Sequence, residues 1–380
     1  MASLSQPELA APAPRPTPPG GLDPLGLAPA ELAAAVQGWG WPRFRAAQVF
    51  AAIHRRQIAR WELATGLPAA ARHELEERMP LHWPAVEARY ASSDGTVRYL
   101  LCLADGERVE AVYLPDEVFD GAHGVIRRRS TLCISSQVGC PVNCGFCLTA
   151  LLGLRRNLSA GEIVAQVLLL VAEHGLRRGS GSNDRLNLVF MGMGEPFLNY
   201  DAVMRSVRLL TDEQGLCLPV RRITISTAGI VAKIRRFAAE PLRPRLAISL
   251  NAASEEARQQ LMPIHRAQGG FAALLAAARA FPLAPRERLT FEYVLLAGTN
   301  DADADADRLL ALLHGIRAKV NLIAWNAGPE LPWASSPPER VRAFQTRLCA
   351  AGLPAFIRRP RGRDVFAACG QLSRRSAAGA

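Results

Sequence analysis

Cys140, Cys144 and Cys147 stand within the eight residues of CPVNCGFC. Thiolates so spaced are soft ligands for zinc or for an iron–sulfur cluster, and three of them leave either centre one ligand short. Zinc would need a fourth ligand, and Cys133 lies seven residues upstream. Structural zinc sites, however, are usually assembled from two C-x2-C-like knuckles. The C-x3-C-x2-C set sits instead at the mouth of a β-forming run, before a helix. That placement favours an iron–sulfur cube with one iron unligated by protein. An open iron can chelate a small molecule, and a reducible cluster can pass it one electron.

Other residues with chemical capacity stand where short apolar runs end. Gly194 and Glu195 close MGMGEP, where glycine would let a ligand approach the backbone and the carboxylate could accept from an ammonium group. Ser226 lies in ISTAG, Ser249, Leu250 and Asn251 in ISLNA, and Asn326 in AWNAG. Serine and asparagine at such positions ordinarily form turns. Glu110, in VEAVYLP, reads by itself as a solvated carboxylate on a strand. Five cysteines lie outside the triad. Cys102, Cys217 and Cys349 read as small buried apolar residues, whereas Cys133 and Cys369 take on meaning only with the resemblance described below.

For these positions to meet, strands must deliver them to one end of a sheet. From Ser130 onward, short apolar runs alternate with helical stretches some six times, beginning with STLCISS before SAGEIVAQVLLLVAEHG and ending with AFIRRP. This alternation predicts a parallel α/β architecture with the active site at the C-terminal ends of the strands. Upstream, AVEARYASSDGTVRYLLCLADGERVEAVYLP holds two turn signals, Asp94-Gly95 and Asp105-Gly106, between β-formers, and predicts a β-meander. Residues 22–84 show helical patterning broken by Gly and Pro, with Arg43, Arg45, Arg55, Arg56 and Arg60 on polar faces. The expected organisation is a disordered Pro/Ala-rich tail (1–21), a helical module (22–84), a β-meander extension (85–125), an α/β core (126–372) and a short tail (373–380).

Composition narrows the function class. Hydrophobic residues form 49% of the 380, enough for a sizeable core, and 45 Lys and Arg against 34 Asp and Glu give a net charge of +11. An excess of cations favours a polyanionic partner, because phosphate contacts release condensed counterions. No run of eighteen apolar residues suggests a membrane span. The N-terminus lacks the charged and apolar regions of a signal peptide, so a cytoplasmic protein with mostly reduced thiols is expected. DADADAD, Asp301 to Asp307, lacks the sixth-position Gly and twelfth-position Glu of a calcium loop, having Ala306 and Leu312 there, and reads as a helix start.

Together, LCISSQVGCPVNCGFC, RRNLSAGEIVAQV, MGMGEPFLNYDAVM, RRITISTAGIV, KVNLIAWN and RGRDVFAACGQL resemble, in order, the motifs of the RlmN family of radical S-adenosylmethionine (SAM) enzymes. The resemblance runs from about Leu22 to Leu372. It implies a partial (β/α)6 radical-SAM barrel with an N-terminal helical accessory domain that works against RNA. It implies a [4Fe–4S] cluster on Cys140, Cys144 and Cys147, with SAM completing the open iron. Gly194 and Glu195 would contact the SAM amino group, and Ser226, Ser249, Leu250, Asn251 and Asn326 its ribose and methionine portions. Asn251 departs from the histidine most relatives carry there.

The implied reaction methylates carbon 2 of an adenosine in 23S rRNA, with tRNA a second substrate in some relatives. Carbon 2 is electron-poor, so it cannot displace the methyl group of SAM, whereas a thiolate can. By resemblance Cys369 takes that methyl group, and a second SAM, cleaved reductively to a 5′-deoxyadenosyl radical, activates it for addition to carbon 2. Glu110 would accept the proton, and Cys133 would displace Cys369, leaving a disulfide. Two SAM per turnover, an unidentified electron donor, a monomer and no membrane complete the expectation. Carbon-8 methylation, as in the related Cfr enzymes, is the alternative activity; a zinc-stabilised RNA-binding protein is the alternative class. Ile126 to Arg129, Arg155 with Arg156, Arg221 with Arg222, and Ile357 to Arg363 are the basic clusters expected to meet phosphates.

Overall fold

The computed structural model describes residues 22–120, 124–176, 185–327, 330–368 and 370–372, the side chains of 117–120 and 124–128 excepted. Both predicted tails and Cys369 lie outside the described residues. The N-terminal segment forms α1 (Pro29–Gly38), α2 (Phe44–Phe50) and α3 (Ala69–Arg78). A meander of β1 (Ala85–Ala91), β2 (Val97–Cys102) and β3 (Arg108–Asp120) follows, and leads into β4 (Gly124–Cys133). The cysteine loop is bracketed by β5 (Gln137–Gly139) and β6 (Leu154–Asn157).

The alternating region then runs α4 (Ala160–Glu173), β7 (Arg185–Phe190), α5 (Tyr200–Thr211), β8 (Ile223–Thr227), α6 (Val231–Ala238) and β9 (Arg245–Ser249). Three short helices, α7 (Glu255–Leu261), α8 (Ile264–Ala267) and α9 (Gly270–Arg279), separate β9 from β10 (Leu289–Leu295). The chain closes with α10 (Asp303–Leu313), β11 (Ala318–Ala324), α11 (Pro338–Ala350) and β12 (Ala355–Ile357).

Ten of these strands make one sheet, in the order β1-β2-β3-β4-β7-β8-β9-β10-β11-β12. From β4 onward every neighbour is parallel. Parallel neighbours need a crossover, and the helices between them supply it. The result is the predicted six β/α units, closed by the short β12. Strand faces follow the period of two: Tyr293 packs against Phe344 of α11, ring centroids 5.4 Å apart, so the alternate Glu292 points to the barrel side. Ser159 and Glu162 start α4 with a reciprocal capping box, each side chain accepting from the other's backbone N–H.

Two boundaries differ from expectation. The meander and the barrel are a single sheet, because β3 pairs antiparallel with β4 from Val112↔Cys133 to Asp120↔Gly124. Both strands therefore run past the expected limits near Pro115 and Ser130. DEVFD and GVIRRR show no clean apolar/polar alternation, and backbone pairing alone extends them. In the helical segment, PRFRAAQVFAAIHRR divides into α2 and a π-type turn over Ala51–Arg55.

That turn buries His54, which stacks on Phe50 with ring centroids 4.1 Å apart. Burial lowers its pKa to about 3. The unfolded chain therefore takes up a proton near pH 6.5 that the folded chain refuses. Stability contributed by this site is complete above that pH and is lost as pH falls towards about 3, at up to ~1.4 kcal/mol per pH unit. His54→Leu should flatten that slope; urea unfolding of both proteins at neutral and mildly acidic pH measures it, and equal slopes would contradict the assignment.

Candidate cofactor site

The cysteine loop owes its shape to its ends. Gly139 has φ +80°, and a Cβ there would lie 1.7 Å from the Gly153 carbonyl oxygen, so no side chain fits. Cys140 N–H donates to that same oxygen at 3.0 Å, and Cys147 N–H to Cys144 O at 3.1 Å. Gly145 N–H donates to Leu261 O at 2.9 Å, which ties the loop to the end of α7. Two indoles hold it from the other side: Trp333 Nε1 donates to Gly145 O at 2.7 Å and Trp325 Nε1 to Phe146 O at 2.9 Å. The three cysteines pack against Val142, Phe146, Leu261, Met262, Val294 and Trp325.

Burial in this apolar pocket pushes the Cys140 thiol up to about 12 and the Cys144 and Cys147 thiols above their usual range. Cys144 is further opposed by Cys147 and Cys140, and Cys140 by Cys147 and Glu195. The sulfurs thus share one pocket in which ionisation is costly. Among the described residues no three His, Cys, Asp or Glu side chains are grouped to hold a single metal ion. The fit to an iron–sulfur cluster is chemical: three soft donors, partly buried against apolar side chains, become thiolates when a positively charged group binds them.

Glu195 lies beside the cysteines and is 4% exposed. Its Oε1 accepts from Phe197 N–H at 2.9 Å and its Oε2 from Ala228 N–H at 2.6 Å. Burial outweighs these bonds and raises its pKa to about 7. A carboxylate has about four lone-pair sites, so it can also accept from an ammonium group. Gly194 has φ +99°, and a Cβ there would meet Gln137 at 2.6 Å. The close approach this glycine permits is therefore to the chain's own β5, where Gln137 Oε1 accepts from Glu195 N–H at 2.8 Å.

The remaining strand-end residues gather across β8 to β11. Ser226 and Ser249 hydroxyls are 3.4 Å apart. Leu250 is buried, and Asn251 adopts φ +59° with its Oδ1 accepting from Val294 N–H at 3.0 Å. Asn251 thus spends part of its polar capacity on the fold, as turn-forming asparagine does. Asn326 Oδ1 accepts from Arg363 Nε at 3.1 Å. The sequence reading missed Glu292, which is paired in register with Ser249 and accepts from Asn321 Nδ2 at 2.8 Å; burial raises its carboxyl.

Glu110 is fully buried, unlike the solvated carboxylate that its strand position suggests by itself, and it forms an ion pair with the equally buried Arg98. Arg98 in turn stacks 4.2 Å from the Tyr90 ring. Nothing in VRYLLC marked this arginine in the sequence. Val112 opposes both Arg98 and Cys133, so Arg98, Glu110 and Cys133 share one face of the sheet. Ser135 Oγ donates to Glu110 O at 2.6 Å and accepts from Met193 N–H at 2.9 Å, locking β4 to its neighbours.

A strap follows β12. Arg361 Nε and Gly362 N–H donate to Asp94 Oδ2 at 2.9 and 3.0 Å, and Arg361 also donates to Pro115 O at 2.7 Å. Asp364 accepts from Ser92 Oγ at 2.6 Å and Ser93 N–H at 3.1 Å. Beyond position 369, Leu148 N–H donates to Gly370 O at 2.8 Å and Thr149 Oγ1 to Leu372 O at 2.7 Å. The chain on either side of Cys369 is therefore tied to the β1–β2 turn and to the residues just after Cys147. Asp94→Ala should lower turnover by about ten- to a hundredfold, the scale of an angstrom's misplacement, with iron content unchanged. Single-turnover methyl transfer measures this, and an unaltered rate would show that the strap holds no reacting group.

Of the expected phosphate contacts, several cations are already engaged. Arg156 pairs with Asp105 and Glu162, Arg155 with Glu107 and Arg361 with Asp94. Their first task is to fasten the meander to α4 and to the strap. Arg129, Arg221, Arg358 and Arg359 are exposed. The side chains of 126–128 lie outside the described residues. Among the described residues no helix is long and apolar enough to cross a membrane.

Comparison with known proteins agrees with this geometry. Residues 134–310 match the family model described as the Radical SAM superfamily. A probable dual-specificity RNA methyltransferase RlmN from Koribacter versatilis is 50% identical over 88% of this chain and 97% of its own length. The dual-specificity RNA methyltransferase RlmN of Syntrophobacter fumaroxidans is 45% identical over 90% of this chain and 95% of its own. A crystal structure of a radical SAM methyltransferase from Sphaerobacter thermophilus superposes with a TM-score of 0.84 at 40% identity, covering 92% of this chain and 99% of that one.

Proposed function

The chain belongs to the RlmN family and is a radical SAM RNA methyltransferase, and from this premise we propose that it methylates carbon 2 of an adenosine in 23S rRNA, with a tRNA adenosine as a further substrate. The observation that carries the reading is the convergence of three elements. The pocket of Cys140, Cys144 and Cys147 follows the strand end that bears Cys133, Glu110 shares that sheet face, and Gly370 and Leu372 are tied to Leu148 and Thr149 just after Cys147.

Cys140, Cys144 and Cys147 would hold a [4Fe–4S] cluster, and Glu195, Gly194 and the strand-end residues Ser226, Ser249, Leu250, Asn251 and Asn326 would bind SAM; together these groups would supply one-electron chemistry and the methyl group. The Cys369 thiolate attacks the methyl carbon, forming an S–C bond as the sulfonium C–S bond breaks. With one hydrogen atom taken from that methyl group by the one-electron chemistry the bound cofactors would supply, its carbon would bond to carbon 2, an amidine carbon that a displacement reaction cannot alkylate. Glu110 would take the carbon-2 proton as the adduct's unpaired electron leaves to the same one-electron carrier. Cys133 would attack the Cys369 sulfur, breaking its bond to the methylene carbon, which takes a proton from solvent, and leaving a disulfide that two electrons from an external thiol reductant must reopen. Splitting the transfer through a covalent adduct replaces one inaccessible step by several feasible ones. Two SAM molecules are consumed, one for each role.

The target base must leave its stack to reach a pocket this deep, and loop RNA permits that at least cost. The exposed Arg129, Arg221, Arg358 and Arg359 fit phosphate contact, which positions RNA without specifying sequence. Reconstituted protein, incubated with a low-potential reductant, SAM and either 23S rRNA fragments or tRNA, should yield 2-methyladenosine on nucleoside analysis. Formation of 8-methyladenosine instead would overturn the carbon-2 assignment. A reduced, SAM-cleaving protein that methylates neither RNA would overturn the substrate assignment.

A further inference from the structure

Arg258 of α7 is 1% exposed, and its guanidinium is enclosed by the ends of the strands that frame the cofactor pocket. Its Nε donates to Leu250 O at 3.0 Å, and one terminal nitrogen donates to Ala228 O at 2.8 Å and Ser249 O at 3.1 Å. The other terminal nitrogen bonds to His265 Nδ1, and His265 Nε2 bonds to Glu255. Burial and the neighbouring Arg258 charge lower the His265 pKa against the opposing pull of Glu255, and the ring bridges the two residues in this chain. Among the described residues no carboxylate touches Arg258; Glu255 lies one imidazole away, with its side chain about half exposed.

A cation buried this completely is costly unless a negative charge compensates it nearby. The helix of Arg258 is tied directly to the cysteine loop, since Gly145 N–H, next to Cys144, donates to Leu261 O at 2.9 Å, and Leu261 belongs to the apolar cluster against which the three cysteines pack. Three thiolates around an iron–sulfur core would place negative charge beside this buried cation.

We propose that Arg258 is the fixed counter-cation of the cluster, a positioning residue that raises the cluster's reduction potential and so eases its one-electron reduction. The inference rests on the radical SAM reading. Uptake of one electron from a low-potential one-electron donor would add one negative charge within the thiolate cage, and a guanidinium in a low-dielectric setting would stabilise the reduced, more negative state more than the oxidised one. Its three bonds to strand-end carbonyls hold it in place while the same carbonyls frame Ser249 and Leu250.

Redox titration followed by electron paramagnetic resonance tests this at matched iron content. Arg258→Met should shift the midpoint potential to more negative values, and Arg258→Lys, which keeps the charge, should leave it near that of the parent. An unshifted potential in a fully loaded Arg258→Met protein overturns the proposal. Should that variant not load a cluster, Glu255→Gln decides: removing the distant carboxylate should shift the potential positively, and no shift overturns the proposal. A parent protein that forms no cluster would instead fail the radical SAM reading itself.

Discussion

Cys133→Ala should leave the protein covalently fixed to its RNA. Cys133 is 9% exposed at the last position of β4, on the sheet face it shares with Glu110. In the proposed sequence its thiol alone breaks the bond between Cys369 and the methylene carbon. Without it the adduct forms and cannot resolve, so protein and RNA should co-migrate on a denaturing gel and separate only after nuclease digestion. Free methylated nucleoside should fall to the level of background. The substitution removes one sulfur from a nearly buried site, a loss of about 1 kcal/mol or so by the scale of small core deletions, so the fold should persist. A variant that purifies free of RNA and turns over normally would remove Cys133 from the mechanism.

Replacing Cys140, Cys144 and Cys147 together with alanine should abolish product altogether and leave a colourless, folded protein. The loop is also held by ties that do not involve its thiols. Gly139, the bonds from Trp325 and Trp333, and the tie to Leu261 all persist without the thiols. Alanine therefore deletes the ligands while leaving those ties in place. The parent protein, purified anaerobically, should be brown, with thiolate-to-iron absorbance near ~400 nm. A triple variant that retains that band would place the cluster elsewhere; a colourless parent with stoichiometric zinc would favour the RNA-binding alternative.

The parallel core was legible because its strands and helices alternate with distinct periods, so STLCISS and SAGEIVAQVLLLVAEHG fall where β4 ends and α4 forms. The three cysteines were legible because spacing alone restricts soft ligands. Long-range partners were not legible. Arg98 lies twelve residues from Glu110 in an ordinary strand, and only antiparallel registration brings them together. Arg258 stands in EEARQQL, where nothing in the sequence marks it for burial, yet it is 1% exposed. The strap joins Asp94 to Arg361, residues with no shared local pattern. At Arg155 and Arg156 the basic pair in sequence carries no sign of the acids with which it pairs.

The route of the methyl group is tested most directly with SAM carrying a fully deuterated methyl. If the carbon passes through the Cys369 sulfur and loses one hydrogen atom before bonding to carbon 2, one deuterium leaves. Solvent supplies the last hydrogen when the sulfur–carbon bond breaks. After turnover in labelled SAM, mass spectrometry of the nucleosides should then show 2-methyladenosine carrying two deuterium atoms. A product that retains three would mean intact methyl transfer and would contradict the cysteine-borne route.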